Sequence, residues 1–317
     1  MKVAYIGNFR EPYCTEVHIS KTLNDLNVET VNLQEDELTI RKLDKELSKD
    51  VNILLYTRTW GLKERKQFLS LLEELRGSGI TSASYHLDLY YGIKRQSSLD
   101  GDPFWATEFV FTPDGDPAAQ SFFESRGINH HYIKPGVFKG ECGFGRFKQE
   151  YSCDVVFVGS VEGYHGEWPY RKELHKWLSR NFKGRYKKFG HPEGVVRNQN
   201  LNNLYASAKV VIGDSLCPGF DKPYYWSDRI YETSGRGGFL VHPYIKGLEE
   251  EFTDGHDVVF YEFGNFKELK AKIEHYLDNE DERNLIRQNA LDNVTQNCTY
   301  HNRLTEAFDR MGLKIGG

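Results

Sequence analysis

Several features that would assign a protein to a class at once are missing from this chain of 317 residues. Its five cysteines are odd in number and scattered, and no two have the spacing of a zinc site or a redox pair. No apolar run reaches the ~18 residues needed to cross a bilayer. The net charge of −5 gives no overall attraction to nucleic acid or anionic membranes. Together with a first segment that predicts a strand and not a signal peptide, these absences indicate a cytoplasmic protein with reduced thiols.

What is present is a regular alternation of apolar strand patterns and amphipathic helix patterns, which predicts an α/β protein with parallel sheets covered on both faces. The alternation occurs twice, in residues 1–135 and 151–298. Residues 136–150 between them lack periodicity and are rich in glycine, so we interpret them as a linker. We expect residues 299–317 to form a last helix that packs back on the first domain. The sequence therefore predicts two Rossmann-like domains.

The most informative segment is 227–243, which is typical of a short helix that stops at glycines and continues into an apolar strand. Arg229 and Glu232 are three residues apart, which places them on one helical face. A carboxylate there could accept from two sugar hydroxyls, and amides near a helix terminus can hold phosphate. The pattern suits a nucleoside diphosphate. The alternative is an ordinary helix–loop–strand unit in which Arg229 pairs with Glu232.

Six segments form a set whose order and spacing are more specific than any one of them: Asp154–Ser160, Arg229–Glu232, Gly235–Leu240, Gly247–Phe252, Asp257–Tyr261 and Thr299–Arg303. In this set the chain resembles the GT-B glycosyltransferases, in particular the spore-maturation CgeB-like branch. The resemblance implies two domains that face each other across a cleft. It also implies a nucleotide-sugar donor bound mainly by the C-terminal domain, an acceptor bound by the N-terminal domain, and catalysis without a bound metal or a separate cofactor.

The same resemblance assigns roles to single residues around the donor. Glu232 matches the carboxylate that takes the ribose hydroxyls. The residues matched to phosphate-side loops or proposed to neutralise the diphosphate are Gly159, Ser160, Ser234, Gly235, Gly237, Arg171 and Arg229. Arginine suits this role because its planar fork can grip two phosphate oxygens. The chain departs from many relatives eight residues before Glu232, where a second glutamate is replaced by Tyr224, with Asp221 nearby.

The N-terminal half offers candidates for catalysis and acceptor binding. His86 and Asp88 follow the fourth predicted strand, at a carboxyl edge where ligands of open α/β sheets gather. Asp88 could deprotonate an acceptor hydroxyl and His86 could contact the transferred sugar. Alternatively, His86 is a satisfied strand-end histidine and Asp88 a helix cap. Asn8, Glu16 and His18 flank the first glycine turn and are the predicted acceptor-side groups.

Two further features have competing interpretations. The Asp-Gly-Asp runs at 100–102 and 114–116 resemble a manganese-binding motif, but Asp-Gly is first of all a turn signal, so we predict no metal there. The aromatic clusters Tyr90–Tyr91 and Pro223–Trp226 fit either packing or stacking on a base or a sugar.

The sequence thus predicts a metal-independent glycosyltransferase that moves a sugar from a nucleotide donor, above all a UDP-sugar, to an acceptor hydroxyl. The candidate acceptors are a glycan, a protein, a small molecule or a hydroxymethylated pyrimidine of phage DNA. Two rival functions stay open, a sugar-nucleotide epimerase of the same fold and a non-catalytic sugar-nucleotide-binding module.

Overall fold

The computed structural model describes residues 1–160, 168–191, 194–215 and 222–315, and it divides into two compact units. The first unit contains residues 1–134 and the chain from Tyr300 onward, and the second contains Pro135–Thr299. The predicted linker 136–150 is part of the second unit, because the Gly143 amide donates to the Gly235 carbonyl (2.8 Å). No helix in these ranges is long and apolar enough to span a membrane.

The secondary structure follows the predicted alternation of strands and helices. The strands are β1 (Lys2–Gly7), β2 (Glu29–Gln34), β3 (Ile53–Tyr56), β4 (Thr81–Tyr85), β5 (Phe109–Thr112), β6 (His130–Tyr132), β7 (Cys153–Val158), β8 (Tyr186–Phe189), β9 (Ala208–Ile212), β10 (Leu240–Pro243) and β11 (Val259–Tyr261). The helices are α1 (Thr15–Asp25), α2 (Ile40–Leu47), α3 (Arg65–Leu75), α4 (Pro117–Ser125), α5 (Tyr170–Asn181), α6 (Gln199–Ser207), α7 (Arg229–Gly235), α8 (Phe266–Asp278), α9 (Glu280–Asn297) and α10 (Tyr300–Arg310).

The first unit is built on a six-stranded sheet in the order β2-β1-β3-β4-β5-β6. All of its strand pairs are parallel, and β1 lies between β2 and β3 with Lys2 opposite Glu29 and Val3 opposite Ile53. Strand β3 is buried along its whole length, as expected of a parallel strand covered by helices on both faces. At the end of the chain, α10 packs against α1, where His301 approaches Asp25 (3.6 Å).

The second unit is built on a five-stranded parallel sheet in the order β11-β10-β9-β7-β8. Its central strand β9 and its neighbour β7 bury their apolar side chains, and Trp226, Ile230 and Tyr231 belong to the same core cluster. Both sheets are therefore all-parallel, with helices connecting successive strands, as the two predicted Rossmann-like domains require.

Local sequence sets several helix starts. The Thr39 side chain accepts from the Lys42 amide at the start of α2, and a 3₁₀ turn at Glu35–Glu37 precedes this helix. Asp116 caps α4 in the same way and is followed by Pro117, which suits the first helical position. Because all strands in each sheet are parallel, the loops after them lie at one edge, here called the carboxyl edge of that unit.

Candidate active site

At the carboxyl edge of the second unit, two glycines bring β7, β8 and α7 into close contact. Gly159 follows β7 with φ +149°, and a Cβ atom there would lie 2.9 Å from Cζ and Nη2 of Arg229. Gly190 follows β8 with φ +126°, and its Cβ would lie 2.5 Å from the Gly159 carbonyl oxygen. The Gly159–Ser160 turn and the start of α7 are therefore immediate neighbours, and any larger residue would separate them.

The helix–loop–strand unit predicted for 227–243 is present as α7 followed by β10. Arg229 is the first residue of α7, with its guanidinium 5.6 Å from the centre of the Phe157 ring. Glu232 is partly buried one turn later, and no described side chain or amide donates a hydrogen bond to its carboxylate. No ion pair joins Glu232 to Arg229 in the described structure, so the alternative in which these two residues pair is not realised.

Arg171 on α5 is buried and binds other groups of the second unit. Its side chain is 3% exposed, its Nε donates to Asp214 Oδ2 (2.7 Å), and its Nη1 donates to the Ser160 carbonyl (2.9 Å). Trp168 Nε1 also donates to Asp214 Oδ2 (3.2 Å). Arg171 thus ties the Gly159–Ser160 turn to Asp214, two residues after the end of β9. This placement makes it a positioning residue, and its predicted contact with the donor diphosphate remains untested.

Ser234, Gly235 and Gly237 lie at the opposite edge of the same sheet. Ser234 and Gly235 are the last residues of α7, and Gly237 precedes β10, so all three are at the amino end of that strand. A Cβ at Gly235 would meet Val294, Cys142 and Val137, which shows that it packs against the interior of the unit. Their predicted contact with donor phosphates has no support in this placement, because α7 starts at the carboxyl edge and runs away from it.

A buried histidine lies beside the end of β9. His242 on β10 is 1% exposed, and its Nδ1 donates to the Pro243 carbonyl (2.7 Å). Burial lowers the pKa of His242 to about 4, so the ring is neutral and Nε2 carries a lone pair. A Cβ at Gly213 would lie 2.3 Å from His242 Cδ2, so the ring occupies the space that a side chain after β9 would fill.

At the carboxyl edge of the first unit, a fully buried carboxylate organises the loop after β3. Glu35, 0% exposed, accepts from the Tyr56 hydroxyl (2.8 Å) and from the amides of Thr59 (3.0 Å), Trp60 (2.7 Å) and Gly61 (2.9 Å). Four donors satisfy both oxygens, which makes burial of the group tolerable. This side chain was not predicted as a site residue, because its partners are more than twenty positions away in the sequence.

Glu16 is a second buried carboxylate at this edge, next to the first glycine turn. It is 6% exposed and accepts from Thr59 Oγ1 (2.9 Å), and burial raises the pKa of its carboxyl group. A Cβ at Gly7 would lie 2.7 Å from Glu16 Cγ, so the glycine makes room for this side chain. Asn8 is partly buried and His18 is 8% exposed on the same turn and helix. The structure thus places Asn8 and Glu16 at the first glycine turn, and His18 lies two residues further along α1.

His86 and Asp88 lie just after β4, as predicted, but their interactions differ. His86 Nε2 donates to the Arg58 carbonyl (2.8 Å) and Nδ1 accepts from the Asp88 amide (3.0 Å). Burial lowers the pKa of His86, which fits a neutral ring that joins the loops after β3 and β4. The Asp88 carboxylate is 41% exposed and forms an ion pair with Arg95 (2.5 Å). Asp88 is therefore not a helix cap, and it remains accessible.

The aspartates of the two Asp-Gly-Asp runs have structural roles. Asp102 pairs with Arg58 (2.8 Å), and Asp100 pairs with Arg126 (2.5 Å). Asp114 accepts from the amides of Tyr90 (3.0 Å) and Tyr91 (2.7 Å), and Asp116 caps α4. Across the described ranges no group of three or more His, Cys, Asp or Glu side chains is arranged to hold a metal ion.

The two aromatic clusters are mainly packing features. Tyr90 is 3% exposed against Phe104 and Trp105. Trp226 is fully buried and its Nε1 donates to the Tyr231 hydroxyl (2.7 Å). Tyr224 is held with φ 62° against Gly247, whose Cβ would lie 2.4 Å from the Tyr224 ring. Asp221, named with Tyr224 as a possible substitute for the missing glutamate, lies outside the described residues.

Two all-parallel α/β sheets, each with candidate site residues at its carboxyl edge, are the architecture expected of the GT-B fold. The chain belongs to the Glycosyl transferase-like family, whose model matches residues 147–309, just over half of the chain. No curated protein sequence matches the chain. Both the predicted fold and the predicted enzyme class are thereby confirmed.

Several solved structures share the fold at low sequence identity. HepE of Anabaena, solved with UDP and glucose, has a TM-score of 0.62 and 13% identity, over 98% of this chain and 99% of that one. Sucrose-phosphate synthase of Thermosynechococcus elongatus has a TM-score of 0.61 and 7% identity, over 98% and 99%. A glycosyltransferase of Rickettsia africae has a TM-score of 0.59 and 12% identity, over 98% and 97%.

Proposed function

We propose that this glycosyltransferase transfers a sugar from a UDP-sugar to an acceptor hydroxyl without a metal ion. The observation that carries the proposal is the Glu232 carboxylate, which is partly buried within one turn of Arg229 and receives no hydrogen bond from any described residue. A partly buried carboxylate without donors is stabilised when a ligand supplies hydroxyl groups. HepE, which shares the fold, has been solved with UDP-glucose as well as UDP.

In this proposal Glu232 accepts from the ribose hydroxyls and Arg229 faces the diphosphate. The close approach of Gly159 to Arg229 supports this arrangement, because it leaves backbone without side chains beside the guanidinium. Ser160 lies on the same turn. Arg171 holds this turn in place by donating a hydrogen bond to the Ser160 carbonyl oxygen. An arginine beside a departing diphosphate stabilises the negative charge that develops in the transition state.

Chemistry at the acceptor requires a base in the first unit. The acceptor oxygen would attack C1 of the donor sugar, its proton would pass to a carboxylate, and the C1–O bond to the diphosphate would break with the electron pair leaving on UDP. We propose Asp88 as this base, because it is accessible and Arg95 fixes its orientation. Glu16 is the second candidate, since burial raises its pKa and makes its carboxylate a stronger proton acceptor.

We propose a mechanism without a metal ion because the acidic residues of the two Asp-Gly-Asp runs already interact with other groups of the protein. Asp100, Asp102, Asp114 and Asp116 are each used by an arginine, a backbone amide or a helix cap. Binding a cation would require breaking these interactions, whereas Arg229 already supplies positive charge beside the Gly159 turn.

Release of free UDP from UDP-sugars, measured with and without acceptor and with excess chelator, tests the proposal. We expect release that rises when an acceptor is added and that persists in EDTA. Interconversion of the donor sugar without UDP release would instead indicate an epimerase, and tight UDP binding without turnover would indicate a binding module. Loss of activity in EDTA that manganese restores would overturn the metal-independent mechanism.

A further inference from the structure

An exposed tryptophan stands at the carboxyl edge of the first unit. Trp60, in the loop after β3, is 48% exposed although it is one of only five tryptophans in the chain. Large apolar side chains exposed singly are common on protein surfaces, so exposure alone decides nothing. Trp60 differs from such residues in its surroundings, which fix the position of the indole.

The backbone that presents Trp60 is held rigidly. Its amide donates to Glu35 Oε2 (2.7 Å), and the amides before and after it, of Thr59 and Gly61, donate to the same carboxylate. Glu35 itself is fully buried and bonded to the Tyr56 hydroxyl. A loop fixed by a buried, fully bonded carboxylate presents its side chain in one place, and this preorganisation lowers the entropy cost of binding a ligand.

One side of the indole is backed by charge. The Arg10 guanidinium carbon lies 6.0 Å from the centre of the Trp60 ring. Arg10 is held there by Asp36 (2.6 Å) and Glu37 (2.9 Å). Apart from Arg10, the described structure shows no ring or cation against the indole, so a flat face remains open to a ligand.

Trp60 is linked to the predicted acceptor side through its neighbour. Thr59 Oγ1 donates to Glu16 Oε1 (2.9 Å), so the loop that carries the indole is tied to the buried carboxylate next to Asn8. An aromatic face and hydrogen-bonding groups therefore occur at the same edge of one sheet. A few polar groups around an aromatic surface are the usual composition of a small-molecule site.

The charge of this edge selects among acceptors. The loops 8–16, 35–37 and 57–65 carry more carboxylates than basic side chains. Two of the basic groups, Arg10 and Arg58, are paired with Asp36 and Asp102. A nucleic acid needs a basic face to neutralise its phosphates, and these loops offer no excess of basic side chains. A neutral saccharide meets no such penalty.

We propose that Trp60 is an acceptor-binding residue and that the acceptor is a neutral saccharide stacked on its indole. The C–H bonds on one face of a pyranose ring are weakly positive and match the negative face of the indole. The hydroxyls around the sugar ring need hydrogen-bond acceptors, and carboxylates and carbonyls are acceptors of this kind. The inference rests on the proposed glycosyltransferase activity and specifies its acceptor.

Binding without donor tests the inference independently of turnover. Maltose, lactose and chitobiose are titrated into the protein while acrylamide quenching of tryptophan fluorescence is followed. We expect at least one disaccharide to protect the wild type from quenching, and to bind with the same affinity to Phe147→Ala, a variant of another exposed aromatic residue in the second unit. Calorimetry should show that Trp60→Phe retains binding and Trp60→Ala loses it.

Kinetics with the same acceptors gives a second readout. In Trp60→Ala the KM for the saccharide should rise about 10- to 100-fold, as expected on removal of a tryptophan contact. The affinity of this variant for UDP, measured by calorimetry, should equal that of the wild type. Trp60→Phe should recover most of the acceptor affinity, since it keeps an aromatic face.

Failure of the inference differs from failure of the proposed function. If the wild type binds UDP but no disaccharide protects it, or if Trp60→Ala transfers to saccharides with unchanged KM, the saccharide assignment is wrong. Transfer to duplex DNA carrying 5-hydroxymethylcytosine, with none to the sugars, would likewise overturn it. A wild type that binds neither UDP nor UDP-sugars would contradict the proposed function itself.

Discussion

The two units build the carboxyl edges of their sheets from opposite charges. In the first unit, buried carboxylates hold the loops: Glu35 accepts three amides after β3, and Asp114 accepts two amides after β4. In the second unit, a buried arginine holds the loops: Arg171 joins Asp214 to the Gly159–Ser160 turn. The same architecture therefore uses different chemistry to fix its loops.

This difference corresponds to the division of labour proposed for the enzyme. An edge with arginines and bare glycine backbone favours an anionic diphosphate, since charge and close approach act together. An edge with carboxylates and an exposed indole favours an uncharged ligand whose hydroxyls need acceptors. The positive charge of the second unit would thus attract the diphosphate, whereas the first unit offers it no excess of basic groups, and this difference favours donor binding in the second unit.

The largest effect is expected from removing the base at the carboxylate-rich edge. Asp88→Asn keeps the shape of the side chain but removes its proton-accepting oxygen. If Asp88 is the general base, turnover should fall by ~10²–10⁴. UDP affinity should stay close to that of the wild type, because the donor is assigned to the other unit. Steady-state kinetics and calorimetry measure the two quantities.

The matched variant for that experiment is Glu16→Gln. Near-normal turnover in Asp88→Asn, combined with a large loss in Glu16→Gln, would transfer the role of base to the buried carboxylate. Near-normal turnover in both variants would show that neither group accepts the proton.

A comparison of two ion pairs tests whether a buried pair stabilises the loops at a carboxyl edge more than an exposed pair does. Asp214→Ala leaves the buried Arg171 guanidinium without its partner, which should lower the free energy of unfolding by about 3–5 kcal/mol. Asp36→Ala breaks the more exposed pair with Arg10 and should change the free energy of unfolding far less, because solvent screens this pair. Urea denaturation of both variants gives the two values.

A double variant separates charge from packing at the same position. Asp214→Leu combined with Arg171→Met removes both buried charges and should recover much of the stability lost in Asp214→Ala. Equal costs for Asp214→Ala and Asp36→Ala would show that the buried pair does not hold the Gly159 turn.

The buried His242 predicts an acid-sensitive second unit. Its pKa is lowered to about 4 in the folded state, against ~6.5 in an unfolded chain, so the unfolded state binds the proton first as pH falls. The stabilisation is complete above pH ~6.5 and is lost as pH falls towards 4. Between pH ~7 and pH ~5 the contribution should decrease by about 2 kcal/mol.

His242→Gln, which cannot titrate, should show a flatter dependence of unfolding free energy on pH than the wild type. The control is His256→Gln, which replaces an exposed histidine of the same unit. An unchanged pH dependence in His242→Gln would contradict this prediction. It would mean that the protonated imidazole finds a hydrogen-bond acceptor or water in the folded state and does not destabilise it.

Much of the fold could be predicted from the sequence because buried parallel strands leave a local signal. Strand β7 is a run of apolar residues that ends at Gly159, and α7 and β10 are separated by glycines. The predicted carboxyl-edge positions of His86 and Asp88 follow from this alternation. These features depend on neighbouring residues, so one sequence is enough to predict them.

The partners of buried polar groups could not be predicted in the same way. Arg171 is of a residue type that commonly binds phosphate, but its side chain is paired with Asp214, 43 positions away. Glu35 and Asp114 look like turn or helix residues until the loops they hold are folded beside them. Ser234 and Gly237 lie at the amino end of β10 because α7 starts at the carboxyl edge, and only the folded sheet shows which end of a helix lies at which edge.

Calorimetric titration with UDP is the most direct test of the central claim that the second unit binds the donor through Glu232. Glu232→Ala should weaken binding by ~1.5–3 kcal/mol, the loss of a charge-assisted hydrogen-bond acceptor. Glu274→Ala, which removes an exposed carboxylate from α8 in the same unit, should bind UDP like the wild type. Equal UDP affinity in wild type and Glu232→Ala would contradict the account.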